Sequence, residues 1–194
     1  MDHLFDHTLL RQRRLRALAD FEPGADFLIR RVAEEMAERL SVVERHFEHP
    51  VLVHGGLPLA AAMMKATGKT ADFNYVDVCD VPGVDAGTQI LLAATPGAGT
   101  LGELRESLLA AESELTGGAN TRVHPFADIR DYGALLQRAG FALPVADIDD
   151  IVVRYADMFA LLKDLRAMGM TSILTDRSRN PANRQLFLRA AQIY

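Results

Sequence analysis

Three groups of residues in this chain have the types and spacing for chemistry. Gly55 and Gly56 follow the short apolar run Val51–Val53 and precede Pro58. A glycine pair at a strand end lets the backbone approach a ligand closely, and the following helix aims its N-terminus there. The same pair also makes a plain turn, which is its commoner use. Asp77 and Asp80 lie in the alternating run Phe73–Val81. A carboxylate at a strand end can grip a ribose, or simply face solvent. His46, His49 and His54 form the third group. They straddle a helix end, a proline and a strand end, so their side chains need not converge on a metal. His3 and His7 share a helical spacing but have no third ligand, and a solvated chain end accounts for them. Cys79 has no histidine near it in sequence to activate it, and reads as a small half-buried residue.

The elements that hold these residues have marked boundaries. Gly117–Asp147 reads as loop, helix, strand. Asp128 is a good N-cap, and Asp131 at the third helical position suits a capping box. Ile129, Tyr132, Leu135, Leu136 and Ala139 share one face, which predicts that Leu135 and Leu136 are core residues. Gly140 supplies a left-handed stop, and Phe141–Val145 then leaves as an apolar strand. Asp26–Phe47 reads as a helix with the stripe Leu28, Val32, Met36, Leu40, Val43 and Phe47, and with Glu35 and Arg39 paired on its polar side. Val51–Val53, Phe73–Val81, Gln89–Ala94 and Ile151–Tyr155 read as strands. Leu59–Thr67 and Met158–Met168 read as helices, the second with Phe159, Leu161, Leu162 and Leu165 inward and Gly169 as its stop. Gly97–Gly102 leads into a helix through Glu114, with Thr100 and Glu103 suited to a capping box and Leu101, Leu104, Leu108, Leu109 and Leu115 inward. Arg177–Arg189 is basic, and Asn180-Pro181 turns into a last helix. Leu4–Ala19 clusters Arg11, Arg13, Arg14 and Arg16. A solvated helix face is its first reading, and a surface for an acidic partner or phosphate its second.

Composition bounds the function. The chain has 194 residues, is 49% hydrophobic and carries a net charge of -5. That suits one soluble domain with a real core and argues against a nucleic-acid-binding surface over the whole molecule. A single cysteine suits a reducing, cytoplasmic setting. No apolar run approaches the roughly 20 residues of a transmembrane segment, and MDHLFDHTLLRQRR has no apolar core of a secretion signal.

The run LLQRAGF, Leu135–Phe141, resembles the helix before the sixth strand of class I methyltransferases. The longer string RVHPFADIRDYGALLQRAGFALPVAD, Arg122–Asp147, is similar to the methyltransferase-like assembly factors of respiratory complex I. The malonyl-carrier-protein methyltransferases of biotin synthesis are more distant relatives. FDHTLLRQRRLRAL, GTLGELRESLLAAESELTGGA and DLRAMGMTSIL carry the same resemblance. It implies an α/β, reduced Rossmann-like class I methyltransferase fold, three-layer with a small sheet. Residues 1–47 would be a helical lead segment and 48–194 a truncated domain, together one compact unit. It also implies S-adenosylmethionine as cofactor, with Gly55 and Gly56 at its methionine part and Asp77 at its ribose.

The chain departs from that pattern. Gly55 matches the first glycine of the loop, but Val53 stands where an acid is expected, and Leu57 and Leu59 stand at later glycine positions. Between Val51 and Gln89 there is room for one helix and one strand, since a strand–helix–strand unit takes about 30 residues. The family's last strand is missing as well. The expectation is a degenerate protein without a catalytic residue, metal or bound cofactor, in which Gly55, Gly56 and Asp77 are vestigial. The family implies a role in complex I assembly with a complex I subunit as protein partner; one relative acts as a protein-arginine hydroxylase. Two alternatives stand beside it: an active S-adenosylmethionine-dependent methyltransferase, and a homodimer that covers its own sheet edges.

Overall fold

A computed structural model describes residues 4–53, 58–76, 90–118, 120–178 and 183–194. The chain divides into two compact units, one of Met1–Arg13 with Thr95–Tyr194 and one of Arg14–Ala94. Helix α1, His7–Ala19, spans the point of division.

The Arg14–Ala94 unit is a strand–helix–strand motif with a helix laid on it. Strand β1, Val51–Val53, runs parallel to β2, Asn74–Val76, in the register Val51–Asn74, Leu52–Tyr75 and Val53–Val76. Helix α3, Pro58–Ala66, makes the crossover and packs on α2, Phe27–Ser41. Parallel strands require such a crossover. Ala33 and Leu40 of α2 are buried, as are Ala61 and Met64 of α3. The Glu35–Arg39 pair forms as the spacing predicts, with Arg39 Nε donating to Glu35 Oε1 at 3.1 Å. The expected Asp26–Phe47 helix is shorter than its stripe implied. It stops at Ser41, and Phe47 is drawn into a parallel bridge with Thr70, its N–H donating to the Lys69 carbonyl at 2.8 Å. Pairing with another segment satisfies the Phe47 backbone beyond the helix end.

The other unit is helical. Helices α4, Gly102–Thr116, and α7, Arg184–Ile193, pack together, and α6, Met158–Ala167, shares their core. Leu104, Leu108 and Ala111 come from α4, Met158, Leu161 and Leu165 from α6, and Leu186 and Ala190 from α7. Each set repeats at helical spacing, so each helix buries one stripe. Leu109, Leu115 and Phe159, expected inward, lie on exposed faces. The expected Thr100–Glu103 box does not form. Leu101 is the N-cap, left-handed at φ 56°, and its side chain packs against the core. Burying that leucine offsets a left-handed cost of about 1–2 kcal/mol.

Helix α5, Ile129–Arg138, carries the predicted capping box: Asp128 Oδ1 accepts from Arg130 N–H at 2.9 Å, and Asp131 Oδ2 accepts from Asp128 N–H at 3.2 Å. The two predicted glycine stops share one geometry. Gly140, at φ 90°, follows α5, with Phe141 N–H reaching the Leu136 carbonyl at 3.2 Å. Gly169, at φ 71°, follows α6, with Met170 N–H reaching the Leu165 carbonyl at 2.8 Å. These are Schellman closures, which need a left-handed residue that glycine adopts without steric cost.

Three expected strands do not form. Residues 90–94, Phe141–Val145 and Ile151–Tyr155 carry no strand. Leu143 and Val145 are 91% and 83% exposed. A strand is stable only beside a partner, and the one sheet among the described residues is the β1–β2 pair. With no sheet beneath it, α5 has no buried residue, and Leu135 is 51% exposed. The α/β class holds, with a small parallel sheet.

Leu161→Ala should therefore cost about 2–5 kcal/mol in urea unfolding, while Leu135→Ala should cost under about 0.5 kcal/mol. Equal losses in the two variants would contradict this placement of the core.

Candidate functional site

The strand–helix–strand motif is the frame on which a cofactor loop would sit. Val53 pairs with Val76, and α3 spans Pro58–Ala66. Gly55, Gly56 and Asp77 lie outside the described residues, as do His3, His54, Leu57, Cys79, Asp80 and the Asn180-Pro181 turn. Leu59, at a glycine position of the expected pattern, is the second residue of α3. Of the three clustered histidines, His46 and His49 are exposed, and His46 Nδ1 meets Glu48 Oε1 at 3.1 Å. Among the described residues no three histidine, cysteine or carboxylate side chains are grouped to hold a metal ion.

The densest polar chemistry lies in the helical unit and was not anticipated. Glu112 sits on the inner side of α4 and is 3% exposed. Its carboxylate accepts from Asn120 N–H and from Asn120 Nδ2, each at 3.0 Å, and from Arg122 Nε at 3.2 Å and Nη2 at 2.6 Å. Burial pushes its pKa up, but the hydrogen bonds from Arg122 and Asn120 and the guanidinium charge outweigh burial and hold it at about 2. Four donors on one carboxylate tie the loop after α4 to the helix. The sequence signal was Glu112 itself, eight residues after Leu104 and directly after Ala111, a charge beside a buried stripe that calls for a partner.

Beside this hub lies an open cleft of about 250 Å³, lined by Arg105, Leu108, Leu109, Asn120, Thr121, Arg122, Val123 and Pro125. Its floor is apolar. Arg122 is committed to Glu112, and Arg105 Nη2 donates to the Thr100 carbonyl at 3.2 Å.

The segment that leads into α1 is fastened to residues 172–177. Phe5 and Leu174 form an antiparallel bridge, and Arg177 Nη2 pairs with Asp6 Oδ2 at 3.1 Å. Asp6 Oδ1 accepts from Leu9 N–H at 2.9 Å, which caps α1. Arg13 Nη1 donates to the Ser172 carbonyl. One of the clustered arginines is thus a structural tie. The Phe5 ring meets His124 edge-on, at 5.7 Å between centroids, and His124 packs on Phe126 at 4.7 Å. Burial, and then the Arg105 charge, lower the His124 pKa from its ordinary 6.5. Tyr155 is pushed up to about 12, by burial first and then by its hydrogen bond to Asp164. It keeps its proton near neutral pH.

Comparison with known proteins gives relatives of two kinds. The chain is 38% identical over 124 residues to the mitochondrial arginine-hydroxylase NDUFAF5 of Dictyostelium discoideum, covering 60% of this chain and 28% of that protein. It is 40% identical over 105 residues to the human mitochondrial arginine-hydroxylase NDUFAF5, covering 54% and 30%. It is 38% identical over 105 residues to the malonyl-[acyl-carrier protein] O-methyltransferase of Laribacter hongkongensis (strain HLHK9), covering 54% and 33%. The matches thus span about a third of the length of these relatives. No family model and no solved structure matches. The relatives are the methyltransferase-like proteins that the sequence resembles.

The stability carried by Glu112 has a defined pH window. Its folded pKa, about 2, lies below its ordinary 4.5, so the contribution is complete above 4.5 and is lost as pH falls toward 2. The amount is on the order of 3 kcal/mol. Glu112→Gln should lower stability at neutral pH and flatten the acid limb between those pH values in urea melts. An unchanged acid limb would remove Glu112 from the account.

Proposed function

We propose that this chain is a degenerate methyltransferase-like protein that works in respiratory complex I assembly by binding a protein partner, a complex I subunit, rather than by methyl transfer. The similarity to the arginine-hydroxylases NDUFAF5 carries the reading. The scaffold would be a reduced Rossmann-like class I fold, and β1, α3 and β2 supply one crossover of it. Leu57 and Leu59 put bulk where a cofactor loop takes glycine. A class I site also needs further strands to wall the adenine and ribose, and the 20 residues between Val53 and Asn74 hold only α3 among the described elements. Gly55, Gly56 and Asp77 are vestigial in this reading. The eukaryotic relatives are named mitochondrial, whereas the single Cys79 speaks for a reducing cytoplasm. No helix among the described residues is long and apolar enough to cross a membrane.

Titration calorimetry with S-adenosylmethionine at millimolar concentration should show no saturable binding. A dissociation constant in the micromolar range would establish an active site, and the alternative of a working S-adenosylmethionine-dependent methyltransferase would replace this reading. Deletion of the gene should lower the amount of assembled complex I, and a copy carrying Gly55→Arg should restore it as well as the native copy does. Unaltered complex I would reject the assembly role.

The homodimer reading rests on one observation. Val51 and Tyr75, in a two-stranded parallel sheet, are 53% and 55% exposed. Parallel sheets ordinarily have both faces covered. Sedimentation equilibrium should show a two-fold mass that dissociates on dilution, and a monomer mass at the highest concentration would end the reading.

A further inference from the structure

The strap of residues 4–13 is held by contacts of two sorts. One sort is insensitive to pH near neutrality. Asp6 N–H donates to the Ile173 carbonyl at 2.8 Å, Thr175 N–H donates to the Leu4 carbonyl at 3.0 Å, and Arg13 reaches the Ser172 carbonyl. Leu174, paired with Phe5, is 3% exposed. The other sort is the ring contact between Phe5 and His124, whose second neighbour is Phe126. The imidazole is thus half-buried between two phenyl rings, one from the strap and one from its own segment.

We propose that His124 is a pH-sensitive latch on this strap: the neutral imidazole holds Phe5, and the protonated imidazole releases it and loosens residues 4–13. The charged groups around the latch set its sign. Arg105, on α4, places a positive charge in its field. Asp6, next to Phe5, is held by Arg177, and Arg122, two residues before His124, is held by Glu112. The Asp6 and Glu112 carboxylates are thus already paired with guanidinium groups, and Arg122 is itself a cation, so none of the three supplies the counter-ion that an imidazolium needs. Protonation would therefore place a second cation near Arg105 in a half-buried ring stack, and detachment of the strap lets the imidazolium reach water.

The linkage follows. With the strap down, the histidine binds its proton more weakly than the ordinary 6.5 of the detached state. The holding energy is complete above 6.5 and falls as pH drops below it, by up to about tenfold in the open population per pH unit.

Hydrogen exchange of the full chain between pH 7.5 and pH 5, corrected for intrinsic rates, tests the latch. Amides of residues 4–13 and 172–175 should lose protection below about pH 6.5, by up to about tenfold per unit, while Leu104–Ala111 keep theirs. His124→Phe retains a ring and removes the proton, so its strap should stay protected at both ends of the range. His7→Gln, which removes the strap's own described histidine, should leave the pH dependence intact. The His124 imidazole proton, followed by NMR in the unaltered chain, should titrate over the same range as the protection is lost, a readout that requires no variant to fold. Strap protection independent of pH would overturn the proposal. So would a pH dependence that persists in His124→Phe or disappears in His7→Gln.

Discussion

The helical unit depends on a carboxylate where a hydrophobic stripe would ordinarily exclude one. Glu112 is buried on α4, and its hydrogen bonds to Asn120 and Arg122 fix how the chain leaves that helix. Everything that follows in sequence inherits this exit: Val123 enters the core, His124 and Phe126 stack, and Asp128 starts α5. A buried charge is costly when alone and tolerable only when fully paired. The arrangement therefore tolerates no partial version, because removing either Asn120 or Arg122 leaves an unbalanced carboxylate beside Ala111 and Leu108.

The other unit shows the opposite economy. A parallel strand pair with one crossover is the smallest piece of a doubly wound sheet that satisfies its own crossover rule. Helix α2 lies on α3 and buries Ala33, Leu40, Ala61 and Met64. The sheet itself remains largely in water, with Val51 and Tyr75 open. Among the described residues the sheet is this one strand pair with its crossover.

What was legible in the sequence was local. The Asp128 box, the Gly140 and Gly169 stops and the Glu35–Arg39 pair rest on interactions within a few residues, and each formed as its spacing dictated. The order strand, helix, strand in β1–α3–β2 was legible from the pattern within each segment and the turn signals between them. What failed depended on distant partners. Phe141–Val145 and Ile151–Tyr155 have strand-like composition, yet a strand is a relation between two segments, and pattern in one segment does not provide the other. Leu135 and Leu136 sit on a true apolar face, but a face becomes core only when something lies on it. Phe47 reads as the last step of a helical stripe and was claimed by Thr70 from another segment. Glu112 was missed for a related reason: its donors lie beyond a loop, out of reach of any periodicity.

The extended stretch after α5 has one further consequence. Leu143, Val145, Ile148 and Val152 project into water from a segment rich in β-branched residues. Short apolar segments of this kind, left without a partner, stack into cross-β fibres when nothing interrupts them. Here the interruptions are built in. Pro144 removes a backbone donor between the two most exposed side chains, and Asp147, Asp149 and Asp150 place like charges where stacked copies would coincide. The four residues that look least useful to a strand are the ones that oppose such stacking.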